Sequence, residues 1–348
     1  MMKKACVIGH FGFGQELLNG QTIKTKVVTC ELEKRMPDRV MKIDTHGGIK
    51  SLLKAPFHVL SALRNSCNVI IFPAHNGLRV YAPLLSVFRH FFRNRKLHYV
   101  VIGGWLPQFL ETRTWMVKLL MGFDGIYVET NIMKKALEAK GLANVCVMPN
   151  CKELTVLSES ECVLSAEEPY KLCTFSRVMQ EKGIADAVEA VKTVNETLGR
   201  QAFSLEIYGQ IDDRQSDWFS DLQKQFPQSV RYGGMVPFNK SVEVLKEYFA
   251  LLFPTFYEGE GFAGTLIDAF SAGVPVIASD WKYNSEIVNE HVGYVYPVRD
   301  QAALVDILIQ TAENPGMILG KRVACLREAQ KYRIDQAVQT LIDRMESE

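Results

Sequence analysis

Long apolar runs are missing from this chain of 348 residues, and no stretch reaches the roughly 18 needed to cross a bilayer. Paired CxxC cysteines are missing as well. The eight cysteines include Cys146 and Cys151, but neither has a His or Cys at metal-ligand spacing beside it, so no structural metal site is expected. The opening MMKKACVIGHFGFG carries the lysines of a signal peptide, yet its apolar run is short and broken by His10 and glycines. Export is therefore not expected, and the thiols read as reduced, mostly buried groups of a cytoplasmic protein.

Acids are missing from residues 45–110, which hold eight Lys and Arg and no Asp or Glu. The net charge of +1 hides this asymmetry. Residues 1–150 carry 21 cationic against 9 acidic side chains, and residues 151–348 carry 19 against 30. One half is thus suited to face a polyanion. Tyr81, Leu84, Leu85, Phe88, Phe91 and Phe92 recur at helical spacing among Arg79, Arg89, Arg93, Arg95 and Lys96. That composition suits a membrane-surface helix, or else a core-facing helix with a basic solvent side. Nucleic acid ranks lower as a partner, because no nucleic-acid motif accompanies the charge.

What is present is normal globular material, 47% hydrophobic and 23% charged, in a length that suits two domains. Short β-branched runs alternate with helical patterns, which predicts parallel α/β sheets. The first series of strands runs Ala5–Ile8, Val69–Phe72, Tyr99–Ile102, Gly125–Val128 and Val145–Met148. The second runs Lys171–Phe175, Ser204–Tyr208, Val230–Tyr232, Ala250–Phe253 and Val274–Ala278. The polar, acidic segment Lys152–Pro169 between them reads as a linker, giving two Rossmann-like lobes with a cleft between. Ile334, Ala337, Val338, Leu341, Ile342 and Met345 mark an amphipathic terminal helix.

Ligands of such sheets sit at the carboxyl ends of strands, so the post-strand loops carry the candidates. In VIGHFGFGQELLNGQTIKT, Gly12 and Gly14 form a turn that either admits a phosphate-bearing ligand or is a plain tight turn. It is not a GxGxxG fingerprint, and no acid stands at a convincing strand end beyond it to hold a ribose. In TFSRVMQEKG, Arg177 and Lys182 follow a strand and suit a diphosphate, or are ordinary charges of a solvated loop. In EGEGFAGTLIDAF, a helix starting near Gly264 or Thr265 would aim the amides of Phe262, Ala263 and Gly264 at an anion. Glu260 and Asp268 flank that turn as acceptors for hydroxyls or amides, or else as helix-dipole partners. His75 follows the strand Val69–Phe72 as a general acid/base, a hydroxyl contact or an incidental loop residue. Gly103 and Gly104 leave room for a ligand beside Trp105.

In this order the stretches resemble the retaining glycosyltransferases of family 4, which have the GT-B fold of two facing Rossmann-like domains. EGFAGTLIDAFSAGVPVIAS, residues 260–279, is similar to the family's acid–glycine–acid signature. FSRVMQEKG looks like its diphosphate site, LEIYGQ like its strand-loop and NVCVMPN like its pre-linker segment. The NGQTIKT stretch, with Asn19, looks like that of bacterial surface-polysaccharide transferases and points to an acceptor-side residue.

The resemblance implies an acceptor-binding domain over 1–155, a nucleotide-sugar domain over 168–328 and a terminal helix over 329–348 that packs back on the first domain. It implies that Arg177 and Lys182 neutralise the leaving diphosphate, with Glu260 on donor-sugar hydroxyls and Asp268 on the ribose. The amides of Gly261 and Phe262–Thr265 would bind phosphate or sugar. The reaction would be metal-independent and need no cofactor, with UDP-sugars as the donor class. The acceptor would be a glycan or lipid-linked glycan in lipopolysaccharide or capsule assembly. The expected location is the cytoplasm, with peripheral attachment to the inner membrane face as an option. Two departures stand out: the second acid is Asp268 where the family usually has Glu, and Gly103, Gly104 and Trp105 stand where it often has His. A nucleotide-sugar epimerase of the same fold, or a non-catalytic nucleotide-sugar-binding partner subunit, are the alternatives.

Overall fold

The computed structural model describes residues 2–14, 20–153, 155–162 and 167–347. The chain divides into two compact units, Met1–Glu153 with Tyr332–Glu348, and Leu154–Lys331. Each is built on a six-stranded sheet in which every pairing is parallel.

The first sheet comprises β1 (Lys3–Gly9), β2 (Val40–Asp44), β3 (Ser66–Ile71), β4 (Lys96–Val100), β5 (Gly125–Val128) and β6 (Val145–Val147). Its order is β2-β1-β3-β4-β5-β6, with Val7 opposite Ile70 on one side and Lys42 on the other. The chain leaves β1 in one direction through α1 (Gly20–Arg35) and returns through α2 (Ile49–Leu53) and α3 (Ala55–Asn65). The order therefore reverses between β1 and β3, where a crevice opens at the strands' carboxyl ends.

The second sheet comprises β7 (Tyr170–Phe175), β8 (Phe203–Tyr208), β9 (Val230–Gly234), β10 (Ala250–Phe253), β11 (Val276–Asp280) and β12 (Gly293–Pro297). Its order is β12-β11-β10-β7-β8-β9, so here the reversal falls between β7 and β10. Central strands such as ALLF are wholly buried, as continuous apolar runs in a sheet covered on both faces should be. Tyr170 stacks on Phe249 at 4.6 Å within this core.

Two strands have no counterpart in the sequence reading, β2 and β12, and both are sheet edges. VMKID is only partly buried along its length and GYVYP is flanked by Gly and Pro, so neither presents a buried apolar run. The terminal pattern is also not one helix. It forms Ile334–Ala337 and Gln339–Glu346, meeting at Val338. Val338, Leu341, Ile342 and Met345 nevertheless join Val7, Ile70 and Tyr127 in one core of the first unit. Of the basic amphipathic set, Tyr81 and Leu85 on α4 (His75–Arg89) are buried, and α4 packs beside α3. Leu84, Phe88 and Phe92 are half-buried and Phe91 is exposed, so the set is divided between core and surface.

The cysteines form no disulfide; Cys6, Cys151, Cys162, Cys173 and Cys325 are buried. Burial pushes the Cys6 thiol up to about 12, which leaves it inert as a nucleophile.

Candidate functional site

In the second unit, the loops after β7 and β10 converge at the point where the strand order reverses. Lys182 ends a short 3-10 turn after β7, and Glu260 stands in the loop after β10. Lys182 Nζ lies 2.6 Å from Glu260 Oε2, with side-chain exposures of 12% and 7%. The Thr255 hydroxyl donates to the same carboxylate oxygen at 2.8 Å. The Lys182 ammonium also sits 4.9 Å from the Tyr257 ring centroid. A buried ion pair survives only with such additional partners, because desolvation of two charges opposes their attraction. The sequence reading assigns Lys182 to phosphate and Glu260 to sugar hydroxyls; the structure makes them one unit.

Backbone geometry forces this approach. Gly183 takes φ +70°, and a Cβ there would lie 2.1 Å from the Pro254 carbonyl oxygen. Only glycine lets the turn carrying Lys182 pack flat against the start of the post-β10 loop. The Phe256 N–H donates to the Glu181 carbonyl at 2.8 Å and locks the two loops together. Gly209 does the same after β8, since its Cβ would meet the Ser176 carbonyl oxygen at 1.8 Å.

Arg177 stays at the rim. Its side chain is 56% exposed, and its Nη1 reaches Asp212 Oδ2 at 3.4 Å, a long contact. Arg177, Gln210, Asp213 and Arg214 line a cavity of about 330 Å³ at the ends of β7 and β8. The helix Gly264–Ser271 begins where the sequence reading puts it, with Ala263 as its N-cap. Gly261, Phe262 and Asp268 are buried, and the Thr265 hydroxyl is buried without a hydrogen-bond partner. An orphaned hydroxyl at a helix start is a donor suited to an anionic oxygen. Glu258 pairs with Lys282 at 2.7 Å on the surface and takes no part.

In the first unit, a cavity of about 390 Å³ lies at the ends of β1, β2 and β3. His10 and His75 both line it, with Gln21 and Asn76 as further polar groups and Ile49, Leu52 and Tyr81 as apolar walls. His75 opens α4 and lies against Trp105, ring centroids 3.9 Å apart. Burial, then Arg79 and Arg113, hold its pKa below the ordinary histidine value, so the ring is neutral near pH 7. Gly103 takes φ +78° in the turn before Trp105, whose indole N–H donates to the Ile102 carbonyl at 2.9 Å. Gly104 shares that turn, and Asn19 lies outside the described residues.

The glycine turn after β1 is occupied from within. Asp44 Oδ1 accepts from the Phe11, Gly12 and His46 N–H groups and Oδ2 from Phe13, at 2.8–3.2 Å. Burial raises the Asp44 carboxyl, but these four donors outweigh it and hold the group below the usual carboxylate range. The Phe11, Gly12 and Phe13 amides of this turn therefore hold a carboxylate of the chain itself. An acid does stand at a strand end after all. It escaped the sequence reading because β2 itself did.

His10 and His46 were also missed. His10 Nδ1 is 2.7 Å from the Thr22 hydroxyl and its Nε2 is 3.1 Å from His46 Nδ1. The available signal was position, since His10 directly follows Gly9 at the end of β1. In the second unit Thr255 was missed for the opposite reason: a lone Thr after a strand carries no pattern. Among the described residues, no group of three or more His, Cys, Asp or Glu is placed to hold a metal ion. None of the described helices is long and apolar enough to cross a membrane.

Comparison with known proteins gives three kinds of likeness. Residues 159–332, half of the chain, match the family model described as glycosyl transferases group 1. The amylovoran biosynthesis glycosyltransferase AmsK of Erwinia amylovora is 24% identical over 152 residues, covering 42% of this chain. The match spans 37% of the length of that curated relative. Among solved structures, Anabaena HepE in complex with UDP aligns with a TM-score of 0.75 at 15% identity, covering 98% of this chain and 99% of HepE. Sucrose-phosphate synthase from Thermosynechococcus elongatus aligns at 0.76 and 16%, covering 98% of each chain. Staphylococcus aureus TarM aligns at 0.67 and 16%, covering 85% of this chain and 58% of TarM. At these identities the structural likeness is one of fold.

Proposed function

The chain belongs to the glycosyl transferases of group 1, and on that premise we propose that it is a retaining, metal-independent hexosyltransferase of family 4. The donor is a UDP-sugar and the acceptor a glycan or lipid-linked glycan in bacterial surface-polysaccharide assembly, of lipopolysaccharide or capsule type. The enzyme works in the cytoplasm, at the inner membrane face. The observation that carries the reading is the buried Lys182–Glu260 pair at the order reversal of the second sheet, with Arg177 at its rim. The UDP bound by HepE and the amylovoran pathway named for AmsK support the donor and acceptor classes.

In this reading the bond from the anomeric carbon to the diphosphate oxygen breaks, and the bond to the acceptor oxygen forms on the same face of the sugar. Negative charge grows on the leaving diphosphate, where Arg177 offers a guanidinium fork and Lys182 an ammonium. The Thr265 hydroxyl and the helix start add donors. The acceptor's proton passes to the leaving diphosphate, so charge balances without a protein base. Glu260, held in place by Lys182 and Thr255, accepts from sugar hydroxyls and faces the oxocarbenium-like carbon. Asp268 accepts from the ribose. Its shorter side chain than the family's usual Glu sets that contact one methylene further back. The two cations take the place of a cofactor in this reading, Lys182 held by Glu260 and Arg177 at the rim.

The test is a panel of nucleoside-diphosphate sugars with membrane extract as acceptor source, scored by nucleoside-diphosphate release and by the anomeric configuration of the product. Inversion at the anomeric carbon, or unimpaired donor consumption by Glu260→Ala, would overturn the assignment.

A further inference from the structure

Residues 49–60 carry an apolar stripe that the core does not use. Ile49 is 78% exposed, Leu53 74% and Phe57 74%, and Leu60 continues the series. Their spacing of four, four and three places them on one side of α2 and α3, which run on with Lys54 still right-handed. The opposite side, Ser51, Ala55, Val59, Ala62 and Leu63, is buried. The stripe is therefore not a frayed core face but a second face of the same helices.

Its flanks are cationic. Lys50, Lys54 and Arg64 are exposed on the same helices, and the nearest acids in sequence stand outside residues 45–110. Two copies of the chain meeting through this face would set lysines against lysines with no acid in the segment to offset them. A surface that is apolar at its centre, anionic at its rim and extended over the length of two helices meets both demands. Anionic lipid headgroups over acyl chains have that chemistry. The stripe is also continuous with the first-unit cavity, because Ile49 is at once exposed and part of the cavity wall beside Leu52.

We propose that the α2–α3 face docks on an anionic bilayer, with Leu53 and Phe57 entering the headgroup–acyl boundary and Lys50 and Lys54 on the phosphates. A lipid-linked acceptor then reaches the cavity of His10 and His75 along Ile49 without leaving the membrane. This rests on the membrane-facing acceptor proposed above and names the surface that meets it. It narrows to α2–α3 the expectation that the basic first domain faces an anionic surface. The Tyr81–Phe92 set, which the sequence leaves open between membrane-surface and core-facing readings, begins on the helix packed beside α3.

The experiment is flotation of the full chain with vesicles of phosphatidylcholine alone or with phosphatidylglycerol added. The wild type is expected to float with the anionic vesicles and to lose binding as salt rises. Leu53→Ser/Phe57→Ser should weaken binding at least tenfold, while its thermal midpoint and its donor hydrolysis without acceptor stay at wild-type values. In Phe57→Trp, the change in indole emission between free and vesicle-bound protein should be a blue shift on anionic vesicles only. Equal binding by the double variant, or no such blue shift in Phe57→Trp, overturns the docking face while leaving membrane attachment intact. No binding by the wild type overturns both, and leaves nucleotide-sugar turnover as a separate result. Lipid-free dimerisation that the double variant abolishes would assign the stripe to a second copy instead.

Discussion

Lys182 and Glu260 are 78 residues apart in sequence and 2.6 Å apart in space, sharing Thr255 as a third member. The pair is asymmetric in what its loss exposes. Glu260→Ala leaves a buried ammonium without its carboxylate and should cost about 3–5 kcal/mol of second-unit stability. Lys182→Met with Glu260→Leu should restore most of that stability and none of the activity. Thermal midpoints alongside donor turnover check both, and additive stability losses in the two single variants and the double would show that the pair is not coupled.

Arg177 should behave in the reverse way. Exposed and held only by a long contact to Asp212, it contributes little to the fold, so Arg177→Ala should move stability by no more than about 0.5 kcal/mol. If it neutralises the leaving group, turnover should fall about 10²- to 10³-fold, the range typical for one charge-stabilising donor. Steady-state kinetics on the donor measure this. A change confined to KM would reassign Arg177 to ground-state binding.

Gly183→Ala should be disproportionately damaging for a single methyl. The left-handed φ costs a non-glycine residue about 1–2 kcal/mol, and the clash with the Pro254 carbonyl adds to it. The loops carrying Lys182 and Glu260 must separate to make room, so activity should collapse with stability. The same change at Gly199, also left-handed but with nothing near its Cβ, should cost only the backbone term. Comparing the two midpoints isolates the clash.

His98 makes the first unit acid-sensitive. Its Nε2–H donates to the Asn68 side-chain oxygen, Asn68 being oriented by its own bond to the Lys4 carbonyl, and Nδ1 accepts from the Tyr127 hydroxyl. Burial pushes its pKa down to about 3, against about 6.5 in an unfolded chain. Between those values the unfolded state binds a proton that the folded state does not. Stability should therefore be level in this respect above pH about 6.5 and fall by about 1.4 kcal/mol per unit as pH drops below it. His98→Gln should flatten that descent in midpoints measured from pH 7 to pH 4.5. A parallel descent in both proteins would count against it.

The sequence carried the central strands because they are buried on both faces and so read as unbroken apolar runs; ALLF is legible on its own. It carried Arg177, Lys182 and Glu260 as loop residues because those loops follow such strands. It carried two of the four edges, β6 and β9, but not β2 or β12. VMKID has a lysine at its midpoint and GYVYP ends in proline, as half-solvated strands can, and with β2 went Asp44 and its four hydrogen bonds. Nor could it carry the direct contact of Lys182 with Glu260, which depends on Gly183 meeting Pro254 across the order reversal. Val338 breaks the terminal helix without breaking its apolar period, so a pattern read at 3.6 residues passes over the joint.

Asp44 gives the two similar sheets different appetites. Each has a turn after its first strand that could welcome an oxyanion, but in the first unit the chain has already supplied one of its own. A phosphate arriving there would have to evict a carboxylate that four amides prefer, and would meet its charge on approach. At that turn an oxyanion has a resident competitor, whereas a neutral, hydroxyl-bearing group would have none.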